Sequence, residues 1–123
     1  MTIPATAAEG PSVKTSIMLM ETVAGDADDQ DGMLSGSNAL RLMGKAALAA
    51  ASRHTNGKAV MTRIDDVRLY RPVPVGNLLD LTARVIHMNA DVMTILVDGM
   101  TQPPTGGRRT LAFSGYFQMT TVA

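Results

Sequence analysis

Ser37-Asn38-Ala39-Leu40-Arg41-Leu42-Met43-Gly44-Lys45-Ala46-Ala47-Leu48-Ala49-Ala50-Ala51-Ser52 is the stretch on which the reading of this chain turns. Ala and Leu dominate it, and both are strong helix formers. It predicts one helix of about 16 residues, about 24 Å long. Ser37 or Asn38 supplies a side-chain oxygen for the N-cap. The apolar residues cover most of the circumference, and only Arg41 and Lys45 interrupt them, spaced i,i+4. A helix that is apolar nearly all round is a buried helix. This one is too short and too charged to span a bilayer. Something must wrap it, and the remainder of the chain reads as sheet.

Working outward, residues 53–57 end the helix. Arg53 and His54 complement the C-terminal dipole, and Asn56-Gly57 supplies the turn. His54 therefore reads as a capping residue, with a catalytic role the other reading. Before the helix, Asp26, Asp28, Asp29 and Asp31 crowd a Gly- and Ala-rich loop. Their spacing resembles a calcium loop. No helix precedes it, and the closing position falls on Ser37 instead of Glu, so a solvated loop is expected. Val13 to Thr22, carrying Ile17, Met18, Leu19 and Met20, reads as a first strand. Residues 1–12 lack periodicity and are expected to be a disordered terminal segment, with one domain over 13–123.

Lys58 to Tyr70 reads as a second strand whose apolar phase changes midway. Val60 and Ile64 sit at even positions, Val67 and Leu69 at odd ones. A side-chain period of two changes phase only with an extra residue, which predicts a β-bulge at Asp65-Asp66. Arg71-Pro72-Val73-Pro74-Val75-Gly76-Asn77 is excluded from a central strand by its prolines and reads as a turn. Three alternating strands follow. Leu79, Leu81, Ala83 and Val85 share one face, then Met93, Ile95 and Val97, then Leu111, Phe113, Phe117 and Met119. Such alternation means antiparallel strands with one buried face. His87 to Asp91 and the Pro/Gly stretch from Gln102 to Arg109 are expected as connections. The order is strand, helix, four strands, hence an α+β fold.

Composition limits the function. The chain has 123 residues, formal net charge zero and no cysteine. Its length predicts a single domain. Neutral charge argues against nucleic acid as the main partner. Disulfide and thiol chemistry are excluded. Residues 1–12 have neither a basic start nor an apolar run, so no signal peptide is expected and a cytoplasmic location is. Ten methionines stand against four aromatic side chains. Met fills irregular core gaps and also adapts to flexible apolar ligands.

The order of elements, with a buried helix after the first strand, resembles the hotdog fold: a five-stranded antiparallel sheet wrapped round one long central helix. The residues look like the acyl-CoA thioesterase branch of that superfamily. Gly32-Met33-Leu34-Ser35-Gly36-Ser37 sits where those proteins carry a Gly-x-Leu-Phe-Gly-Gly type loop. Leu40, Met43, Ala46, Ala47 and Arg53-His54 match the helix that follows. Arg71-Pro72-Val73-x-Val75-Gly76 and Leu79-Asp80-Leu81-x-Ala83-Arg84-Val85 match the turn and third strand. Ala112 and Tyr116-Phe117 match the last strand, so the resemblance covers residues 14 to 122.

That resemblance implies an acyl-CoA or related thioester as ligand, bound at the interface of a homodimer or of a larger tetramer or hexamer. It implies edge-to-edge pairing of two subunits, and neither cofactor nor metal. The thioester carbonyl is expected at the N-terminus of the long helix, where free backbone N–H groups favour an oxyanion. Here those donors come from Gly36 and Ser37, with Asn38 beside them. Arg71, Arg108 and Arg109 are the candidates for the CoA phosphates. The resembling enzymes carry an Asp, often followed by Glu, directly after the Met matching Met43. This chain has Gly44 and Lys45 there. The acids left to activate water are Asp31, where relatives often have Asn, and Asp65 and Asp66 in the bulge. The alternative is a non-catalytic hotdog protein that binds an acyl thioester or serves as a structural or regulatory subunit. A dehydratase-type enzyme needs His on the helix or its loop, and neither His54 nor His87 lies where that chemistry requires it.

Overall fold

A computed structural model describes residues 16–23 and 31–122. The expectations for residues 1–12, for the start of the first strand and for Asp26, Asp28 and Asp29 lie outside the described residues. The elements run β1 (Ser16–Thr22), α1 (Gly36–Thr55), β2 (Ala59–Leu69), β3 (Leu78–Asn89), β4 (Val92–Gln102) and β5 (Thr110–Thr121). They form one antiparallel sheet of five strands in the order β1-β3-β4-β5-β2, with the helix against one face. This is the hotdog arrangement.

The helix is longer than its apolar stretch, 20 residues from Gly36 to Thr55. Its N-cap is Ser35, not Ser37 or Asn38. Ser35 has extended backbone, and its Oγ accepts the Asn38 N–H at 3.1 Å. At the other end Asn56 closes the helix in the left-handed region (φ 56°), and its N–H is donated to the Ser52 carbonyl. Asn tolerates that conformation better than most side chains, as the Asn-Gly pair suggests.

Wrapping is one-sided. Ala39, Leu42, Met43, Ala46, Ala47, Ala50 and Ala51 are buried against the sheet. Leu40, Arg41, Lys45 and Leu48 are exposed and Gly44 is half-buried. A single twisted sheet covers one face of a cylinder, so the expected all-round burial is not met within one chain. Inward residues of the central strands close the core: Leu79, Leu81, Ala83 and Val85, then Met93, Ile95 and Val97, then Phe113, Phe117 and Met119, all at most 1% exposed. Buried Met43, Met93 and Met119 fill gaps between the helix alanines and the sheet.

Bulges set the phase of the outer strands. Asp65 pairs with Tyr116 and Arg68 with Ser114, so Asp66 and Val67 together oppose Gly115. This is the expected bulge, and Asp66 takes φ 51° there. A second bulge at Thr62 separates Met61↔Met119 from Arg63↔Gln118. It turns Met61, not Val60, to the helix side. A third sits at Ala112, between Gly99↔Phe113 and Met100↔Leu111. It puts Leu111 on the outer face, against the expected alternation, and leaves it 37% exposed. The Ala112 carbonyl is thereby released from the ladder and accepts the N–H groups of Tyr70 (2.7 Å) and Arg71 (3.2 Å). His87, Met88 and Asn89 are strand rather than connection, paired with Thr94, Met93 and Val92. The turn is only Ala90-Asp91, with Ala90 at φ 55°.

Candidate functional site

Two stretches far apart in sequence are laced together at the start of the helix. Leu34 N–H is donated to the Val73 carbonyl (2.8 Å) and Val75 N–H to the Gly32 carbonyl (2.8 Å), and Met33 bridges Pro74. Gly76, at φ 100°, donates its N–H to Val23 O at 2.7 Å. The prolines that bar residues 71–77 from a central strand leave this turn rigid. It holds the loop from Asp31 to Ser35 against the helix N-terminus.

Between them lies a pocket of about 160 Å³. Its floor is Ala39, Val73 and Phe113, all buried. Its walls and rim are Leu34, Ser35, Gly36, Leu69, Tyr70, Arg71 and Pro72. It is an apolar slot with the first residue of a helix on one side and a guanidinium at the mouth. Asn38 N–H goes to Ser35 Oγ and Ala39 N–H to Ser35 O (2.9 Å). The N–H groups of Gly36 and Ser37 therefore have no acceptor within the helix, and they carry the positive end of its dipole.

Of the residues singled out from sequence, Gly36 and Arg71 line this slot. Ser37 follows Gly36 in the first turn, its Oγ 3.2 Å from Ser35 Oγ. Asn38 is turned away: it is 5% exposed, accepts Arg41 Nε at 3.3 Å and lines a smaller pocket beside Glu21, Thr22 and Val23. Asp31 is exposed in the turn before the helix, at φ 54°. Asp65 pairs with Arg63 (2.9 Å) and Asp66 with Arg68 (2.8 Å) on β2. The hydrogen bond and charge of Asp66 hold the Arg68 guanidinium above its ordinary range. Among the described residues, no carboxylate and no imidazole lines the slot. Arg108 is exposed in the β4–β5 loop. Arg109 lies on the outer face of the sheet, where Nε (3.0 Å) and Nη2 (2.9 Å) both reach Asp80 Oδ2. Asp80 Oδ1 is buried without a hydrogen-bond partner.

Gly44 lies on the open side of the helix. A Cβ added there meets the methyl of Met61, on β2, at 3.3 Å. Lys45 reaches the other edge of the sheet, 3.2 Å from Glu21. Sequence reasoning passed over the slot's apolar lining. Phe113 read only as core, and Leu69 and Val73 only as strand and turn. Nothing in their spacing distinguishes a pocket wall from a core.

The sequence model of the thioesterase superfamily matches residues 31–107, which run from the helix loop through the turn and the β3–β4 hairpin. The chain belongs to the thioesterase superfamily. An uncharacterized acyl-CoA thioester hydrolase of Zymomonas mobilis is 29% identical over 96 residues, 78% of this chain and 60% of that relative. The chain thus spans less than two thirds of that relative's length. Among solved thioesterase structures, an acyl-CoA hydrolase of Staphylococcus aureus in complex with butyryl coenzyme A superposes with TM-score 0.83 at 16% identity, over 89% of this chain and 67% of that one. A hexameric thioesterase of Yersinia pestis gives 0.79 at 22% identity, over 85% of each chain. These likenesses bear on the fold. No helix among the described residues is long and apolar enough to cross a membrane.

Proposed function

We propose that this thioesterase-superfamily protein takes acyl-CoA thioesters in the slot at the start of α1, as a homo-oligomer, and hydrolyses them. The observation that carries the reading is the slot itself: an apolar floor beneath the first N–H groups of a long helix, which have no acceptor within it, with Arg71 at the mouth. The acyl chain enters the apolar part, where each buried methylene contributes about 0.8 kcal/mol. The carbonyl oxygen lies toward Gly36 and Ser37. As water adds to the carbonyl carbon, the charge on that oxygen is met by these donors, each worth about 3 kcal/mol of barrier. The tetrahedral adduct then collapses, the C–S bond breaks and coenzyme A leaves as a thiolate that takes up a proton. Arg71 suits a CoA phosphate. Arg108 is a second candidate, and Arg109 serves only if it leaves Asp80.

A base must take the proton of the attacking water, and no carboxylate or imidazole among the described residues lines the slot. Asp31, Asp65 and Asp66 are the candidates, from the same chain or from a second copy. Large apolar side chains on the helix side of β2 (Met61, Ile64 and Leu69) and on the helix (Leu40 and Leu48) are exposed. Together with β2, the outermost strand of the sheet among the described residues, they suit an edge-to-edge dimer. Relatives in this family assemble as hexamers. A cytoplasmic location belongs to the same proposal and is checked by cell fractionation.

Gly44 favours a second reading, a non-hydrolytic thioester-binding or regulatory subunit. The side of the helix that carries an acid in the resembling enzymes carries a bare backbone under the Met61 methyl. Thiol release from a panel of acyl-CoAs decides between the two. Turnover by the wild type that is lost in Asp31→Ala, or in Asp65→Asn or Asp66→Asn, establishes hydrolysis by a relocated acid. A silent wild type that still binds acyl-CoA, with turnover gained in Gly44→Asp, establishes the binding role.

A further inference from the structure

We propose that Phe113 sets the depth of the slot, that Gly99 holds it there, and that the protein therefore prefers short acyl chains. This rests on the acyl-CoA reading of the slot and adds its length selectivity. Of the three buried floor residues, Ala39 and Val73 are small and Phe113 is the only bulky one. Its ring is 1% exposed and cannot swing outward into solvent. Nor is its position arbitrary. Phe113 and Gly99 are cross-strand partners, and a Cβ on Gly99 lies within 3.0 Å of the ring's Cε1, Cζ and Cδ1 atoms. The ring lies over the bare backbone of β4, in space that any other residue at position 99 takes away. The bulge at Ala112 directly precedes Phe113, so the strand that carries the ring is also the strand pinned to Tyr70 and Arg71 at the rim.

Phe113 is the bulky residue in the floor of this pocket of about 160 Å³, so the end of a growing chain meets the ring. Affinity is expected to rise about fourfold per added methylene, the equivalent of about 0.8 kcal/mol, until the slot is full, and then to level off.

The test is calorimetric titration with S-alkyl-CoA thioethers, which cannot be hydrolysed, from two to twelve carbons. Wild type is expected to level off within this series, at the length where the chain end meets the ring. Phe113→Leu, and Phe113→Ala where circular dichroism shows it folded, are expected to move the plateau to chains at least two carbons longer. Gly99→Ala is expected to move it shorter, because the displaced ring enters the slot. A merely structural role for either residue lowers affinity for every length alike and leaves the plateau in place. A wild type that binds with no plateau, or variants with an unmoved one, overturns the depth inference and leaves the acyl-CoA reading intact. No binding of any thioether by the folded wild type overturns both.

Discussion

Asp80 and Arg109 form an ion pair in which one carboxylate oxygen takes both hydrogen bonds and the other is buried and unpaired. Removing the guanidinium strands a carboxylate that is 11% exposed. Arg109→Leu is expected to cost about 2 kcal/mol, read as a lower urea midpoint at unchanged m-value. The double variant Asp80→Leu, Arg109→Leu is expected to recover most of that loss, since no polar group then stays buried. Gly44 makes the opposite case. Glycine inside a helix costs about 1 kcal/mol against alanine. The atom that an added Cβ meets is the end of a flexible methionine, 3.3 Å away. Gly44→Ala is therefore expected to raise the thermal midpoint. A fall in that midpoint instead means that a methyl does not fit there, either because Met61 cannot give way or because a second copy closes over the glycine.

Among the elements, the helix start carries most of the consequence. Ser35 caps it through the Asn38 N–H, and the loop before it hangs on the 73–77 turn. Ser35→Ala is expected to cost about 1 kcal/mol. Because Ser35 also lines the slot, the same change is expected to weaken thioether binding while leaving the length plateau where it was. The helix was legible from its Ala and Leu content, yet its cap was not. Ser35, Ser37 and Asn38 are all good capping residues, and the choice fell to Ser35 because the Leu34–Val73 hydrogen bond fixes where the chain turns. The strands show the same division. The bulge at Asp65-Asp66 announced itself as a phase change between Ile64 and Val67. The bulges at Thr62 and Ala112 did not. Apolar residues flank both on either phase, so the pattern reads equally well with or without the extra residue.

At the scale of the molecule, one sheet covers one side of one helix. Leu40, Leu48, Met61, Ile64 and Leu69 are exposed beside β2, the outermost strand of the sheet among the described residues. A surface of this kind is an interaction surface, and β2 offers backbone donors and acceptors to a second copy of itself. Ile64→Asp is expected to shift the protein to monomer in analytical ultracentrifugation, with loss of acyl-CoA turnover if the base comes from the neighbouring copy. Retention of the assembly in Ile64→Asp counts against pairing through β2.

The chain's own residues determined the order of elements, the antiparallel sheet and the family, because these follow from local periodicity and from short motifs. The apolar phase of β4, and of β3 as far as Val85, is written in every second residue. What the sequence could not decide is which of its apolar residues form a slot and which form a core. That distinction is a matter of what lies opposite: Phe113 is a floor because Gly99 lies beneath its ring and Gly36 stands at the rim. The same is true of the charges. Arg71 and Arg109 are indistinguishable as sequence, and only the packing of the sheet sends one to the mouth of the slot and the other to Asp80 on the far face.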